Sequence, residues 1–140
     1  MGRVLCLDFG EKRIGIALSD ELGFTAQGLE VLERKGMAED INYIKVITEK
    51  NNVSKVVVGL PLNMDGGASE KSKDVLRFVE KLKSSLKLPV ETWDERLSSL
   101  EANKVLISAD MSRRKRKKVV DKIAAQIILQ CYLDSRHYSK

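Results

Sequence analysis

Runs of apolar residues with two different periods divide the chain. Arg3–Phe9 (RVLCLDF) and Arg13–Leu18 (RIGIAL) are short apolar segments separated by Gly10-Glu11-Lys12, the pattern of two antiparallel strands and a tight turn. A third extended segment is expected within Phe24–Leu32. Helical spacing then begins, with Met37, Ile41, Ile44 and Ile47 or Thr48 on one face. Lys55–Leu60 (KVVVGL) is a continuous β-branched run, suited to a strand covered on both faces. Pro61–Gly67 is a loop punctuated by Asp-Gly. Val75, Phe78, Val79, Leu82 and Leu86 mark an amphipathic helix with Ser69 as its expected cap. Leu88–Trp93 follows as a short strand. Ser98-Ser99-Leu100-Glu101 has the spacing of a capping box opening a helix of about ten residues. A last helix, from about Lys117 to Leu133, carries Val120, Ala124, Ile127, Ile128 and Cys131 on its apolar face. The predicted series is β-β-β-α-β-α-β-α-α. Strands joined first by hairpins and later by helices imply an α/β fold: a five-stranded mixed sheet flanked by helices.

A chain of 140 residues, 43% of them apolar, predicts one domain, 1–140, with a core of useful size. Six consecutive cations, Arg113, Arg114, Lys115, Arg116, Lys117 and Lys118, account for the net charge of +5; the rest of the chain is close to neutral. A focused basic patch points to a polyanionic partner more than an even spread would. Such a run can also be a solvated loop. Cys6 and Cys131 form no metal-ligand or redox pair and read as buried thiols of a reducing compartment, so a cytoplasmic location is expected. No targeting segment is evident, because Asp8 cuts the first apolar stretch, and no stretch is long and apolar enough to span a bilayer.

Few residues can carry chemistry. The single histidine, His137, falls in a terminal tail, which disfavours Ser-His-Asp or Cys-His catalysis, and paired-histidine zinc sites are impossible. Carboxylates remain, and without nitrogen or sulfur partners these select hard cations, Mg²⁺ or Mn²⁺. Asp8 ends a strand whose two faces are both apolar, so its charge must meet a cation, a donor or a metal; backbone donors of the Gly10 turn would serve as well. Asp94 and Glu95 follow the last strand, where acids also suit a helix start, and Arg96 beside them could pair with either or reach a phosphate. Asp121 flanks the apolar stripe of the last helix, with Ala124, Ala125 and Ile128 as its neighbours three, four and seven residues on. Cations at that helix start oppose the helix dipole, so something outside the chain is expected to compensate them. Acids converging at one edge of the sheet around one or two Mg²⁺ ions would make a phosphodiesterase centre, with the cations gripping the backbone that is cut.

The segments LDFGEKRIGIALSD (7–20), VVVGLPLNMDG (56–66), TWDERLSSLEA (92–102) and KKVVDKIAAQIILQCYLD (117–134) together resemble the YqgF-type pre-16S rRNA nucleases, a family also described as Holliday-junction-resolvase-like. Four co-linear blocks spanning nearly the whole chain are far more specific than any one. The resemblance implies a ribonuclease H-like fold and Mg²⁺-dependent phosphodiester hydrolysis. It places the family's acids on Asp8, on Asp94 and Glu95, and on Asp121. Lys12, Arg13, Arg96 and the run Arg113–Lys118 become the expected nucleic-acid contacts. Ser98-Ser99 stand where paired threonines are common, and GGASE replaces the usual residues after the DG turn; neither change touches an acid.

Three other readings compete. LDFGEKRIGIA also resembles the phosphate-binding hairpin of actin-like ATPases and sugar kinases, but those close two such domains on a nucleotide, and no P-loop is present. A non-catalytic RNA-binding ribosome-assembly factor would explain the basic run but not acids beside an RNA surface. A DNA junction resolvase would share the chemistry, and resolving a four-way junction symmetrically would favour a dimer; the sequence itself is compatible with a monomer or a homodimer. Three Phe, three Tyr and one Trp leave little for base stacking, which favours recognition of the backbone of precursor rRNA or branched DNA.

Overall fold

The computed structural model describes residues 2–63, 65–97 and 113–138, the side chains of 113–119 and 138 excepted. Its sheet contains β1 (Arg3–Phe9), β2 (Arg13–Ser19), β3 (Ala26–Glu33), β4 (Val53–Leu60) and β5 (Val90–Asp94) in the order β3-β2-β1-β4-β5. The first three form an antiparallel meander, and β4 and β5 run parallel to β1. This is the mixed five-stranded sheet that the pattern predicts. The parallel half follows from helical crossovers: α1 (Met37–Lys50) separates β3 from β4, and α2 (Glu70–Ser85) separates β4 from β5. Ser69 caps α2 as expected. Its hydroxyl accepts from the Ser72 amide at 3.0 Å, and Ser72 Oγ accepts from the Ser69 amide at 2.7 Å. Ser69 Oγ also donates to the Pro61 carbonyl at 3.1 Å, tying the preceding loop to the helix.

The alternation of side chains in β1 sorts the core into two layers. Leu5, Leu7 and Phe9 point toward α1 and α2, where they meet Ile14, Ile16, Val56, Val58, Ile44, Phe78 and Leu82. Phe78 is fully buried, with its ring 4.5 Å from that of Phe9, so truncating it to alanine would cost about 3–5 kcal/mol. Cys6 points the other way with Ala17 and Val57, onto α3 (Arg113–Tyr138). That face of the sheet is paved with small residues. A Cβ added to Gly15 would lie 2.1 Å from the Asp121 carbonyl oxygen, and one on Gly28 would lie 2.6 Å from Lys122 Cγ. Ala124 and Ala125 are buried on the helix side, so α3 docks almost backbone to backbone.

Four expectations need correction. The last helix starts at Arg113, not near Lys117, so the basic run lies within the helix; Arg and Lys are good helix formers. Its buried stripe is Ala124, Ala125, Ile128, Leu129, Tyr132 and Leu133, rotated from the expected one because the alanine pair takes the closest approach. His137 belongs to that helix, stacked on Phe24 at 4.0 Å and donating from Nε2 to the Gly23 carbonyl at 2.8 Å. Cys6 is buried, but Cys131 is only half-buried. The helix expected after Ser98 lies outside the described residues.

Candidate active site

Asp8 stands next to the end of β1 and pairs across the ladder with Gly15 of β2. By alternation it shares the α3 side of the sheet with Cys6. Gly15 is the residue against which the backbone of Asp121 packs. One strand position therefore sets the distance between two acids that are remote in sequence. Glu95 opens a single 3₁₀ turn, Glu95–Leu97, directly after β5. Its side chain crosses β4 at Gly59, where a Cβ would lie 3.2 Å from both Glu95 Cγ and Oε2. Asp8, Glu95 and Asp121, all half-buried, line one cavity of about 490 Å³. The thiol of Cys6 registers two of them. Burial pushes its pKa well up, and the charges of Asp8 and Glu95 push it further.

Asp94 is placed differently. Arg96 donates to both of its carboxylate oxygens, from Nε at 3.0 Å to each and from Nη2 to Oδ2 at 2.6 Å, and the Arg96 amide adds a bond of 3.0 Å to Oδ1. The Arg96 hydrogen bonds hold the Asp94 pKa below the usual carboxylate range, and Asp94 raises that of Arg96 in turn. Asp94 is not among the residues lining the acid cavity. Of the two neighbouring acids it is Glu95 that faces the other two, and the Asp94–Arg96 pair braces the turn that aims it.

Lys12 and Arg13, from the β1–β2 turn, line the same cavity. Arg13 Nε is buried, makes no hydrogen bond among the described residues and stands 3.8 Å from Glu33 Oε1. Lys71, in the first turn of α2, also lines it and was not singled out by its sequence context. Gly15 and Gly59 were missed as well; a glycine inside an apolar strand is the signal that could have found them. Arg113, Arg114, Lys115, Arg116, Lys117 and Lys118 form the opening turns of α3, one to two turns before Asp121. The donors around the cavity are oxygens, which suits Mg²⁺ or Mn²⁺. Among the described residues no three of the His, Cys, Asp and Glu side chains stand close enough together to hold one metal ion by themselves. Mg²⁺ usually keeps several waters and takes further ligands from substrate phosphates, so one or two of these acids suffice to hold it.

Solved structures share this arrangement of strands and helices. Thermus thermophilus RuvC in complex with a Holliday junction substrate superposes with a TM-score of 0.57 at 16% identity, covering 99% of this chain and 98% of that one. The Fowlpox virus resolvase bound to Holliday junction DNA gives 0.54 at 11% identity, with 96% and 98% covered. The fold is therefore ribonuclease H-like, and with the sequence relatives it defines the class: a nuclease, a hydrolase of phosphodiester bonds. The chain belongs to the RuvX family, described as Holliday junction resolvase, which matches residues 2–135. A relative from Desulforamulus reducens is 53% identical over 133 residues, spanning 95% of this chain and 97% of its own, and one from Syntrophomonas wolfei is 50% identical over 138, spanning 99% and 98%. Both carry the name "Putative pre-16S rRNA nuclease". No helix among the described residues is long and apolar enough to cross a membrane.

Proposed function

We propose that this chain is a divalent-metal-dependent nuclease that cleaves precursor 16S rRNA in the cytoplasm, with Asp8, Glu95 and Asp121 as its metal-holding acids. The observation that carries this reading is that those three acids, remote in sequence, line one cavity together with Lys12 and Arg13. Bound Mg²⁺ or Mn²⁺ would supply charge neutralisation at the scissile phosphate and activation of water. The chain's own residues do the rest. The acids fix where the cation can sit. Lys12 and Arg13 hold the phosphate from the turn side. Arg113–Lys118 offer further backbone contacts, and phosphates there would offset the unfavourable placement of cations at the positive end of α3. Asp94 and Arg96 position Glu95. The chain would act as a monomer on RNA.

A second reading, resolution of a four-way DNA junction by a homodimer, is favoured by the family's description. The two are separated by incubating the protein with precursor 16S rRNA and with junction DNA, each in Mg²⁺ and in excess chelator. Cleavage of the rRNA in Mg²⁺ alone is expected. Cleavage of only the junction would transfer the assignment to DNA. Tight RNA binding with no cleavage of either substrate would make the chain an assembly factor, and activity in excess chelator would refute the metal.

A further inference from the structure

A second cavity, of about 450 Å³, opens on the α1/α2 side of the β1–β2 turn. That size falls within the range of small-ligand pockets, roughly 300–1,000 Å³. Phe9, Gly10, Glu11 and Lys71 line both cavities, so a strand lying among the acids has the second cavity beside it. We propose that this cavity receives one unstacked nucleobase of the strand being cut; the proposal rests on the nuclease reading above.

Charge argues against a phosphate there. Among the described lining residues three cations, Arg34, Lys71 and Arg77, are matched by three acids, Glu11, Glu70 and Asp74. A phosphate gains little from a balanced wall, whereas a base edge presents donors and acceptors together and can use both signs. A flat, rigid surface is also present. The Arg34 guanidinium lies over the Phe9 ring at 4.3 Å. Its Nη1 donates to the Gly10 and Glu11 carbonyls at 3.3 Å, and its Nε donates to Asp40 at 3.3 Å. Asp40 is itself 1% exposed and accepts from the Lys35 amide, so the guanidinium is held before any ligand arrives. Splayed bases of single-stranded RNA stack on aromatic rings and arginine planes and are read along their edges. The geometry thus supplies one base-reading subsite whose stacking surface is the Arg34 plane, backed by the buried Phe9 ring.

The test uses single-stranded RNAs of one sequence, cleaved by the full chain in Mg²⁺, in which each position near the cut in turn lacks its base. Binding of the same series is measured alongside. One position at a fixed distance from the cut should lose about five- to hundredfold in kcat/KM and in affinity, the range expected for losing one stacked base. Asp74→Trp places a ring in the cavity from an exposed wall position; it should lose a similar factor on the intact strand and nothing further on the strand lacking that base. Glu80→Trp makes the same acid-to-ring change at an exposed position of α2 outside both cavities and should behave as the parent. A flat profile, or an Asp74→Trp protein that still discriminates, overturns the proposal. So does a loss that is uniform along the strand and follows salt, which would assign the cavity to phosphate. If the parent cuts none of the strands, the nuclease reading fails, and the binding series still decides for or against the base pocket.

Discussion

Replacing Gly15 with alanine perturbs the acid-lined cavity without replacing any of its acids. The added methyl would sit 2.1 Å from the Asp121 carbonyl oxygen and 2.7 Å from its carbonyl carbon. Both atoms are backbone, so no side chain can swing aside, and strand and helix must separate by about 1 Å. Overpacking of this kind costs about 1–3 kcal/mol. The lower chain entropy of alanine in an unfolded strand returns about 0.5–1 kcal/mol. A net destabilisation of about 1–2 kcal/mol remains, a fall in Tm on the order of 5 °C. The catalytic effect should be larger than the thermodynamic one, because the displaced backbone carries Asp121. A misplacement of about 1 Å can cost on the order of a hundredfold in rate. Gly28→Ala is the comparison: its methyl would lie 2.6 Å from Lys122 Cγ, a side-chain atom that a change of rotamer can shift where the Asp121 backbone cannot, so stability and rate should fall less than in Gly15→Ala. Thermal unfolding and single-turnover cleavage in Mg²⁺ are measured on both proteins. A Gly15→Ala protein as active as the parent would refute the close approach of α3 as the device that sets the distance between Asp8 and Asp121.

Three further outcomes are expected. Asp8→Asn and Glu95→Gln should each remove most cleavage while the fold survives, whereas Asp94→Asn, which loosens the brace on Glu95, should cost less; equal losses for Asp94→Asn and Glu95→Gln would undo the distinction between the two acids. Neutralising Arg113, Arg114, Lys115 and Arg116 should weaken binding with little dependence on sequence, flattening log affinity against log salt by roughly 0.7–0.9 for each phosphate no longer neutralised, and an unchanged slope in a salt titration would reduce the run to a solvated surface. In the native protein a thiol reagent should reach Cys131 and spare Cys6, whose burial and acidic neighbours disfavour the thiolate; rapid labelling of both in a peptide-mapped reaction would contradict the packing of α3 on the sheet.

The sheet was legible because β1, β2 and β4 are apolar on both faces, which only interior strands can be, and because short turns and long helical spacers dictate antiparallel and parallel neighbours. Asp8 stood out for the same reason: a charge at the end of such a strand needs a partner. The exact face of α3 was not legible, since apolar residues cover a wide arc from Ala124 to Leu133 and the choice among them depends on which sheet positions lack side chains. Asp94 and Glu95 could not be told apart, because the chain leaves the strand between them and the direction of a 3₁₀ turn is set by the Asp94–Arg96 pair. The second cavity had no sequence signature at all. Its walls come from β1, the β1–β2 turn, the segment after β3, and the first turns of α1 and α2.

The acids of the main cavity enter at positions 8, 95 and 121, and the last rides on a helix held to the sheet chiefly by its own buried stripe. During synthesis the strands emerge first and Asp121 follows only near the end, so a nascent or truncated chain that has not yet docked α3 lacks the complete set of acids. Local detachment of α3 in the finished protein would have the same effect. Docking of one helix thus acts as a safety catch, and the proposed centre is complete only in molecules that have finished folding.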